Sequence, residues 1–245
     1  MEIKTLAMQI QDTSDKSFVT FDNVASIVNE LYRNEKNLSG LIQRLRPKIC
    51  PFYELLPLIP AGSRVLDVGC GSGLWAGLMV QTGRASFVHG FDASRKAIAV
   101  AKRMREHLPE ETQAHLFFEY RSVLDGLPDG QFDAVSMIDV LHHIPPKAQE
   151  KAVDAVLTRV KPGGLFLYKD MASKPFFCGL MNRLHDLASA KEWIHYCPIS
   201  RVEAAVKIGG GGQYAWTLEK SGKKRLYWYQ HEWRVFRRDA STNQQ

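Results

Sequence analysis

From Pro60 onward, short runs of β-branched and aromatic residues alternate with longer helix-like runs. Several of the short runs, FDAVSMI at 132–138 and SFVHGF at 86–91 among them, are apolar at consecutive positions rather than at every second one. A strand with one face in water alternates apolar and polar residues, whereas one that is apolar on both faces has to be covered on both. Helices between successive strands supply that cover and carry the chain back to begin a parallel neighbour. The pattern predicts strands at 64–67, 86–91, 115–120, 132–138 and 165–168, and helices at 73–81, 94–107 and 146–160, the last closed by KPGG as a stop signal.

The segments flanking this alternation differ from it. Residues 21–58 read as helical pieces, FDNVASIVNELYRN, LSGLIQRLRP and PFYELLPLI, with Pro51 suited to a first helical position. They are expected to form an amino-terminal helical cap or lid over residues 1–58, with the core over 59–245. After Tyr168 the alternation breaks, and an insertion at about 172–200 is expected beside the carboxyl end of the fifth strand. ISRVEAAVKI then reads as a helix ended by Gly209. The terminal YAWTLEKSGKKRLYWYQHEWRVFRR reads as antiparallel strands turning at Ser221-Gly222.

Composition sets outer limits. At 245 residues, 45% hydrophobic and 24% charged, the chain suits one globular domain with decorations. No apolar run approaches the roughly 18 residues of a membrane span, and the amino end mixes charges into its apolar positions, so a soluble, unsecreted, cytoplasmic protein is expected. Cys50, Cys70, Cys178 and Cys197 form no CxxC pair, which favours reduced thiols over a metal site, and no metal is expected. The net charge of +6 is local: 220–238 holds seven basic residues and one acid, Glu232. That stretch can receive a phosphate, a carboxylate or an acidic partner, while the rest of the chain is balanced.

The stretch VLDVGCGSGLW, at the first strand-to-helix junction, carries the clearest chemical signal. Backbone amides and a helix amino end are available there to a ligand, and glycines at 69, 71 and 73 permit tight turning and close approach. The spacing is GxGxG; Leu74 stands where a dinucleotide motif needs its last glycine, and no Lys-Ser/Thr follows as in a phosphate loop. Asp67, two residues before the first glycine, would repel a pyrophosphate but can orient an ammonium group. Asp92 ends the second strand in GFDAS, 21 residues past Gly71, near the interval of a carboxylate that binds ribose hydroxyls. A nucleoside with a cationic amino-acid tail fits all three features. Asp67 and Asp92 also have a second reading as helix amino-end caps.

VLDVGCGSG, GFDAS, FDAVSMIDVLHHI and VKPGG occur in the order and spacing of class I S-adenosylmethionine-dependent methyltransferases, and the chain resembles their small-molecule, quinone-biosynthesis-like branch. The resemblance implies a Rossmann-like, doubly wound, seven-stranded sheet, mostly parallel with an antiparallel terminal hairpin strand and helices on both faces. It implies S-adenosylmethionine as cofactor and S-adenosylhomocysteine as product. Gly69 and Gly71 with Asp67 would hold the methionine part, with Cys70 a small residue in the turn. Asp92 would take the ribose hydroxyls, and Ala93 would lie beside the adenine. Ser122 and Val123 would line the adenine pocket, Ser122 standing where many relatives have an acid. Asp139 and Val140 would border the cofactor and the reacting centre.

The sulfonium is already activated, so the chain has chiefly to place a nucleophile in line and exclude water. A base is needed only for a neutral hydroxyl, an acidic carbon or an amine. Candidates are His142 and His143 in DVLHHIPP, and His185, His195 and Tyr196 in the insertion; His143, His195 and Tyr196 are taken forward, His143 also reading as packing at the cofactor edge. FYELLPLI and KPFFCGLMNRL make an apolar, aromatic lid that suits a small apolar or aromatic acceptor methylated on oxygen or carbon. The segment around KEWIHYCP is fainter in its likeness to pigment and polyketide methyltransferases. That likeness implies a carrier-bound acceptor, with the basic hairpin docking an acidic carrier protein. Two other classes stand beside this reading. RLYWYQHEWRVFRR has the charges and rings of an RNA methyltransferase, although nucleic acid is not the expected partner. A catalytically silent S-adenosylmethionine-binding subunit would carry the same cofactor motifs. Oligomeric state does not follow from the sequence.

Overall fold

The computed structural model describes residues 19–172, 195–209 and 212–240. Most of the expected insertion, with KPFFCGLMNRL, Cys178, His185, Trp193 and Ile194, lies outside the described residues. Contacts divide the chain into two units, 1–121 and 122–245.

The first unit opens with helices α1 (Phe21–Leu31), α2 (Leu38–Ile49) and α3 (Phe52–Leu55) and a 3-10 turn at Leu56–Leu58. Side-chain caps start the first two: Thr20 accepts from the Asn23 N–H, and Asn37 from the Gly40 N–H. One proline, Pro51, sits differently from expectation. Pro47 lies inside α2, and Pro51 is the residue before α3 rather than its first turn. Then follow β1 (Ser63–Val68), α4 (Leu74–Gln81), β2 (Ala85–Asp92), α5 (Arg95–Glu106), α6 (Glu110–Gln113) and β3 (Leu116–Tyr120). β1 and β2 are parallel, with Val65 opposite Val88 and Asp67 opposite Gly90, and β2 and β3 are parallel with Val88 opposite Leu116. Leu74 through Met79 are all buried, so α4 is apolar on every side rather than amphipathic.

The second unit contains β4 (Phe132–Ile138), α7 (Pro146–Leu157), β5 (Val160–Met171), α8 (Ile199–Ile208), β6 (Trp216–Leu226) and β7 (Tyr229–Arg238), with 3-10 turns at Val123–Asp125 and Leu141–His143. β4 and β5 are parallel; β7 is antiparallel to both β5 and β6. The strand order is β3-β2-β1-β4-β5-β7-β6, the seven-stranded, mostly parallel α/β arrangement that the sequence predicts.

Two local expectations need correcting. KPGG does not close a helix: α7 stops at Leu157, and Val160 already pairs with Phe132. Gly163, at φ 75°, lies where the register shifts between Phe132 and Ala134, so this stretch is an irregular strand entrance. Nor does the terminal hairpin turn at Ser221-Gly222. Leu226 pairs with Tyr229, the turn falls on Tyr227-Trp228, and Tyr227 takes φ 55°. Gly222 sits inside β6 opposite Trp233, where a Cβ would stand 2.1 Å from ring atom Cζ2. The glycine there makes room for an indole rather than for a turn.

Much of the basic charge of this hairpin is engaged inside the unit. Arg234 binds Glu203 at 2.5 Å, Arg237 binds Glu219 and the Gly163 carbonyl, Lys223 pairs with Glu232, and the buried Arg238 donates to the Val160 carbonyl at 2.6 Å. Gly222→Ala is expected to lower the melting temperature by roughly 3–10 °C, since Trp233 must move to admit a methyl group. An unchanged thermal transition would show that the indole has other room.

Candidate active site

At the carboxyl end of β1, Asp67 is buried, and the chain enters the glycine turn. The turn is held from several sides: the Cys70 N–H donates to the Phe91 carbonyl at 2.9 Å, and the Gly73 N–H to the Cys70 carbonyl at 3.0 Å. The Gly71 N–H donates to Asp92 Oδ2 at 2.9 Å, while Oδ1 of the same carboxylate accepts the Ser94 N–H at 2.7 Å. Asp92 thus ties the turn after β1 to the start of α5, where Ser94 caps the helix by accepting from the Ala97 N–H. Gly73, the residue before α4, adopts φ 82°, and a Cβ on it would lie 2.9 Å from Phe118 Cζ and 3.0 Å from Met104 Cε. Both backbone and packing demand glycine there. Around Gly71 the opposite holds, with nothing within 4 Å of where a Cβ would stand, so a ligand can approach its backbone.

Cys70 is buried, and burial first, then the charges of Asp67 and Asp92, push its thiol well above the ordinary range. A thiol kept protonated in this way is inert filling of the turn. Ala93 is exposed next to Asp92. The structure therefore brings Asp67, Gly69, Cys70, Gly71, Asp92 and Ala93 into one strand-end cluster. A carboxylate has about four acceptor positions, so the two backbone bonds to Asp92 leave capacity for ribose hydroxyls; the helix cap itself is Ser94, so the reading of Asp92 as the cap is corrected to a bond from Asp92 to the N–H of that cap residue.

In the second unit, Ser122 Oγ accepts the Leu124 N–H at 3.1 Å and starts the 3-10 turn that contains Val123. Beyond β4, Asp139 has φ 56°, a strained conformation for a non-glycine residue. The adjacent β5 fixes it. The Asp139 N–H donates to the Lys169 carbonyl at 2.9 Å, and Lys169 Nζ, with no exposed surface, bonds both Asp139 carboxylate oxygens at 2.6 Å. Val140 follows at the head of the 3-10 turn.

One residue along β5, Asp170 makes a second pair. Its Oδ1 lies 2.5 Å from Nδ1 of the buried His142 and accepts the Met171 N–H, and its Oδ2 accepts the Tyr168 hydroxyl at 3.3 Å. Burial first, and then the charge of Asp170, push the Tyr168 phenol up, so it remains a donor. A carboxylate on Nδ1 fixes the imidazole tautomer, makes Nε2 the basic nitrogen and stabilises the imidazolium that proton uptake would form. The backbone around His142 is also secured. His142 O accepts the His195 N–H at 2.7 Å, and buried Gln149 donates to the carbonyls of Leu141, Ile144 and His195.

His143 is exposed, with its ring centroid 4.2 Å from that of His142. His195 and Tyr196 are half-buried, and His195 meets the cluster through its backbone. Among the described residues, no three His, Cys, Asp or Glu side chains gather as metal ligands, and no helix is long and apolar enough to cross a membrane. Sequence reasoning passed over Asp170, Lys169, Tyr168 and Gln149. The signal for the first two was present: LFLYKD places two charges at the carboxyl end of an otherwise apolar strand, where open α/β sheets receive ligands.

Strand order, glycine turn and the acid ending β2 define the fold of class I methyltransferases. The chain belongs to the methyltransferase domain family, whose model matches residues 38–210. It is 37% identical over 117 residues to a ubiquinone biosynthesis O-methyltransferase of Albidiferax ferrireducens, a match covering 47% of this chain and 44% of that protein. It is 31% identical over 128 residues to a probable methyltransferase of Aspergillus luteorubrus, covering 50% and 45%. The chain thus spans about half the length of the curated relatives it matches. Among solved structures, magnesium protoporphyrin IX methyltransferase from Synechocystis, with bound S-adenosylhomocysteine, shares the fold with a TM-score of 0.62 at 17% identity, over 92% of this chain and all of that one. A Mesorhizobium loti S-adenosylmethionine-dependent methyltransferase gives 0.59 at 19%, over 76% and 97%.

Asp170→Ala removes the acceptor of a buried imidazole, a phenol and a backbone N–H at once. It is expected to destabilise the fold by about 2–4 kcal/mol in urea titration. A loss under about 0.5 kcal/mol would mean that these donors find other partners.

Proposed function

We propose that this chain transfers a methyl group from S-adenosylmethionine to a small apolar or aromatic acceptor, at a hydroxyl oxygen in the first instance. The observation that carries the reading is the Asp92 carboxylate bonded to the Gly71 amide at the end of β1, beside open space over Gly71 and with buried Asp67 at the strand end. Those groups fit a nucleoside with a cationic amino-acid tail: Asp92 has acceptor capacity left for ribose hydroxyls, Gly69 and Gly71 offer backbone to the methionine part, and Asp67 supplies negative charge for its ammonium. Ala93, Ser122 and Val123 are assigned to the adenine, and Asp139 and Val140 to the neighbourhood of the sulfonium. The relatives named O-methyltransferases support oxygen over carbon.

S-adenosylmethionine, when bound, supplies a methyl carbon on a sulfonium that departs as a neutral thioether. The residues of the chain then have to manage one proton. His142 Nε2 takes it from the acceptor hydroxyl as the oxygen bonds to the methyl carbon and the carbon–sulfur bond breaks, its electron pair staying on sulfur. Asp170 holds the resulting imidazolium, which later releases the proton to water. Exposed His143, with half-buried His195 and Tyr196, is assigned to contacts with the acceptor rather than to the proton.

His142→Ala is expected to lower kcat by about 10²–10⁴-fold with S-adenosylhomocysteine affinity kept, while His143→Ala and His195→Ala cost less than about tenfold. A larger loss at His143 or His195 than at His142 would move the base there. The reaction class is tested by adding the chain and labelled S-adenosylmethionine to a lysate and separating solvent-extractable, nucleic-acid and protein fractions. Label in the solvent fraction supports a free small molecule. Label in the protein fraction would shift the acceptor to a carrier-bound form; label in nucleic acid, or none, would contradict the proposal.

A further inference from the structure

The amino-terminal helices read from sequence as a lid for the acceptor, and one of their described contacts reaches the glycine turn. Tyr32 follows α1 directly, has no exposed surface, and its hydroxyl donates to the Ser72 carbonyl at 2.7 Å. Ser72 lies between Gly71 and Gly73, so this bond reaches 40 residues along the chain to the peptide at the middle of the turn. Within the same turn, the Cys70 and Gly71 N–H groups are bonded to β2, through the Phe91 carbonyl and Asp92, and the Gly73 N–H is bonded to the Cys70 carbonyl. The Tyr32 bond brings the helical segment to that turn.

That segment is anchored for the task. Arg44 of α2 donates to the carbonyls of Tyr32 at 2.7 Å and Glu35 at 3.1 Å, fixing the backbone that carries the phenol. Glu35 is buried, and Arg103 of α5 binds its two oxygens at 2.7 and 3.1 Å, with Asn37 adding a bond at 2.9 Å. The hydrogen bond from Arg103 is the main cause that holds the Glu35 carboxyl below its usual range, so the pair stays charged. Leu31 packs so closely on α4 that a Cβ at Gly77 would stand 2.9 Å from its Cδ1. Within the short link between α1 and α2, Tyr32 thus reaches the turn before α4, and Glu35 is held by α5, the helix whose start is tied to Asp92. Burial pushes the Tyr32 phenol far above its ordinary range, so the hydroxyl is a permanent donor.

We propose that Tyr32 is a positioning residue for the cofactor: by holding the Ser72 carbonyl, its hydroxyl fixes the peptide plane of Ser72–Gly73 and keeps the turn in the conformation that receives the methionine part of S-adenosylmethionine. The proposal rests on the function assigned above. Tyr32 touches no reacting group, so its contribution appears in cofactor affinity and not in the transfer step.

Tyr32→Phe keeps the ring and removes the donor, leaving a part-buried carbonyl unsatisfied. The expected result is about 5- to 30-fold weaker S-adenosylhomocysteine binding by calorimetry, a matching rise in KM for S-adenosylmethionine, and kcat at saturation and acceptor KM unchanged. Val28→Ala, a cavity at a fully buried position on α1, is the control for general loosening: it should lower the melting temperature yet keep affinity within twofold. Should Tyr32→Phe fail to fold, Arg44→Ala, which frees the Tyr32 carbonyl, decides by the same split. Affinity within twofold of wild type in Tyr32→Phe, or an equal loss in Val28→Ala, would overturn the proposal. Absence of binding by the wild-type chain would instead remove the functional reading on which it stands.

Discussion

One carboxylate joins the parts of the first unit that matter most. Asp92 accepts a backbone N–H from the turn after β1 and another from the start of α5, so two strand ends and two helix starts are referred to a single side chain. Such charge-assisted bonds are stronger than neutral ones, and here both donors are peptide groups, one in the glycine turn and one at the start of α5. Gly73 adopts its left-handed conformation without strain because it lacks a Cβ, which would meet Phe118 and Met104. Gly71 itself remains open to an approaching ligand.

The second unit solves a different problem: how to keep charges inside a sheet. Lys169 and Asp170 are consecutive on β5, so alternation sends them to opposite faces, and each meets an opposite partner, Asp139 and His142. Buried pairs of this kind are costly to assemble and more costly to break than to replace by apolar packing. Their value lies in position. Lys169 holds Asp139 in a backbone conformation that few non-glycine residues adopt, and strain of that type gathers at ligand sites. Asp170 fixes one tautomer of a histidine that would otherwise choose between two, with buried Tyr168 bonded to Asp170 and buried Gln149 bonded to the carbonyls of Leu141, Ile144 and His195.

The fold was legible because its signals are periodic and local. Runs such as FDAVSMI, apolar on both faces, identify covered parallel strands whatever surrounds them, and 132–138 coincides with β4. The glycine turn and Asp92 were legible because their spacing follows from the geometry of a strand, a turn and a helix. What stayed hidden depends on contacts between distant residues. Nothing near Gly222 tells that Trp233 will lie over it, so SG reads as a turn. KPGG reads as a helix stop because the bulged entry into β5 is set by its pairing with β4. His142 and His143 are indistinguishable in a string of letters; the carboxylate 28 residues later separates them. Tyr32 carries no local sign of its bond to Ser72, 40 residues away.

Whether the glycine turn with Asp92 is an S-adenosylmethionine site is decided by calorimetric titration with S-adenosylhomocysteine. Saturable binding of one molecule per chain is expected, weakened by about 1–3 kcal/mol in Asp92→Ala, with no comparable heat from a dinucleotide or a nucleoside triphosphate. No binding of S-adenosylhomocysteine, or binding that is indifferent to Asp92, would contradict it.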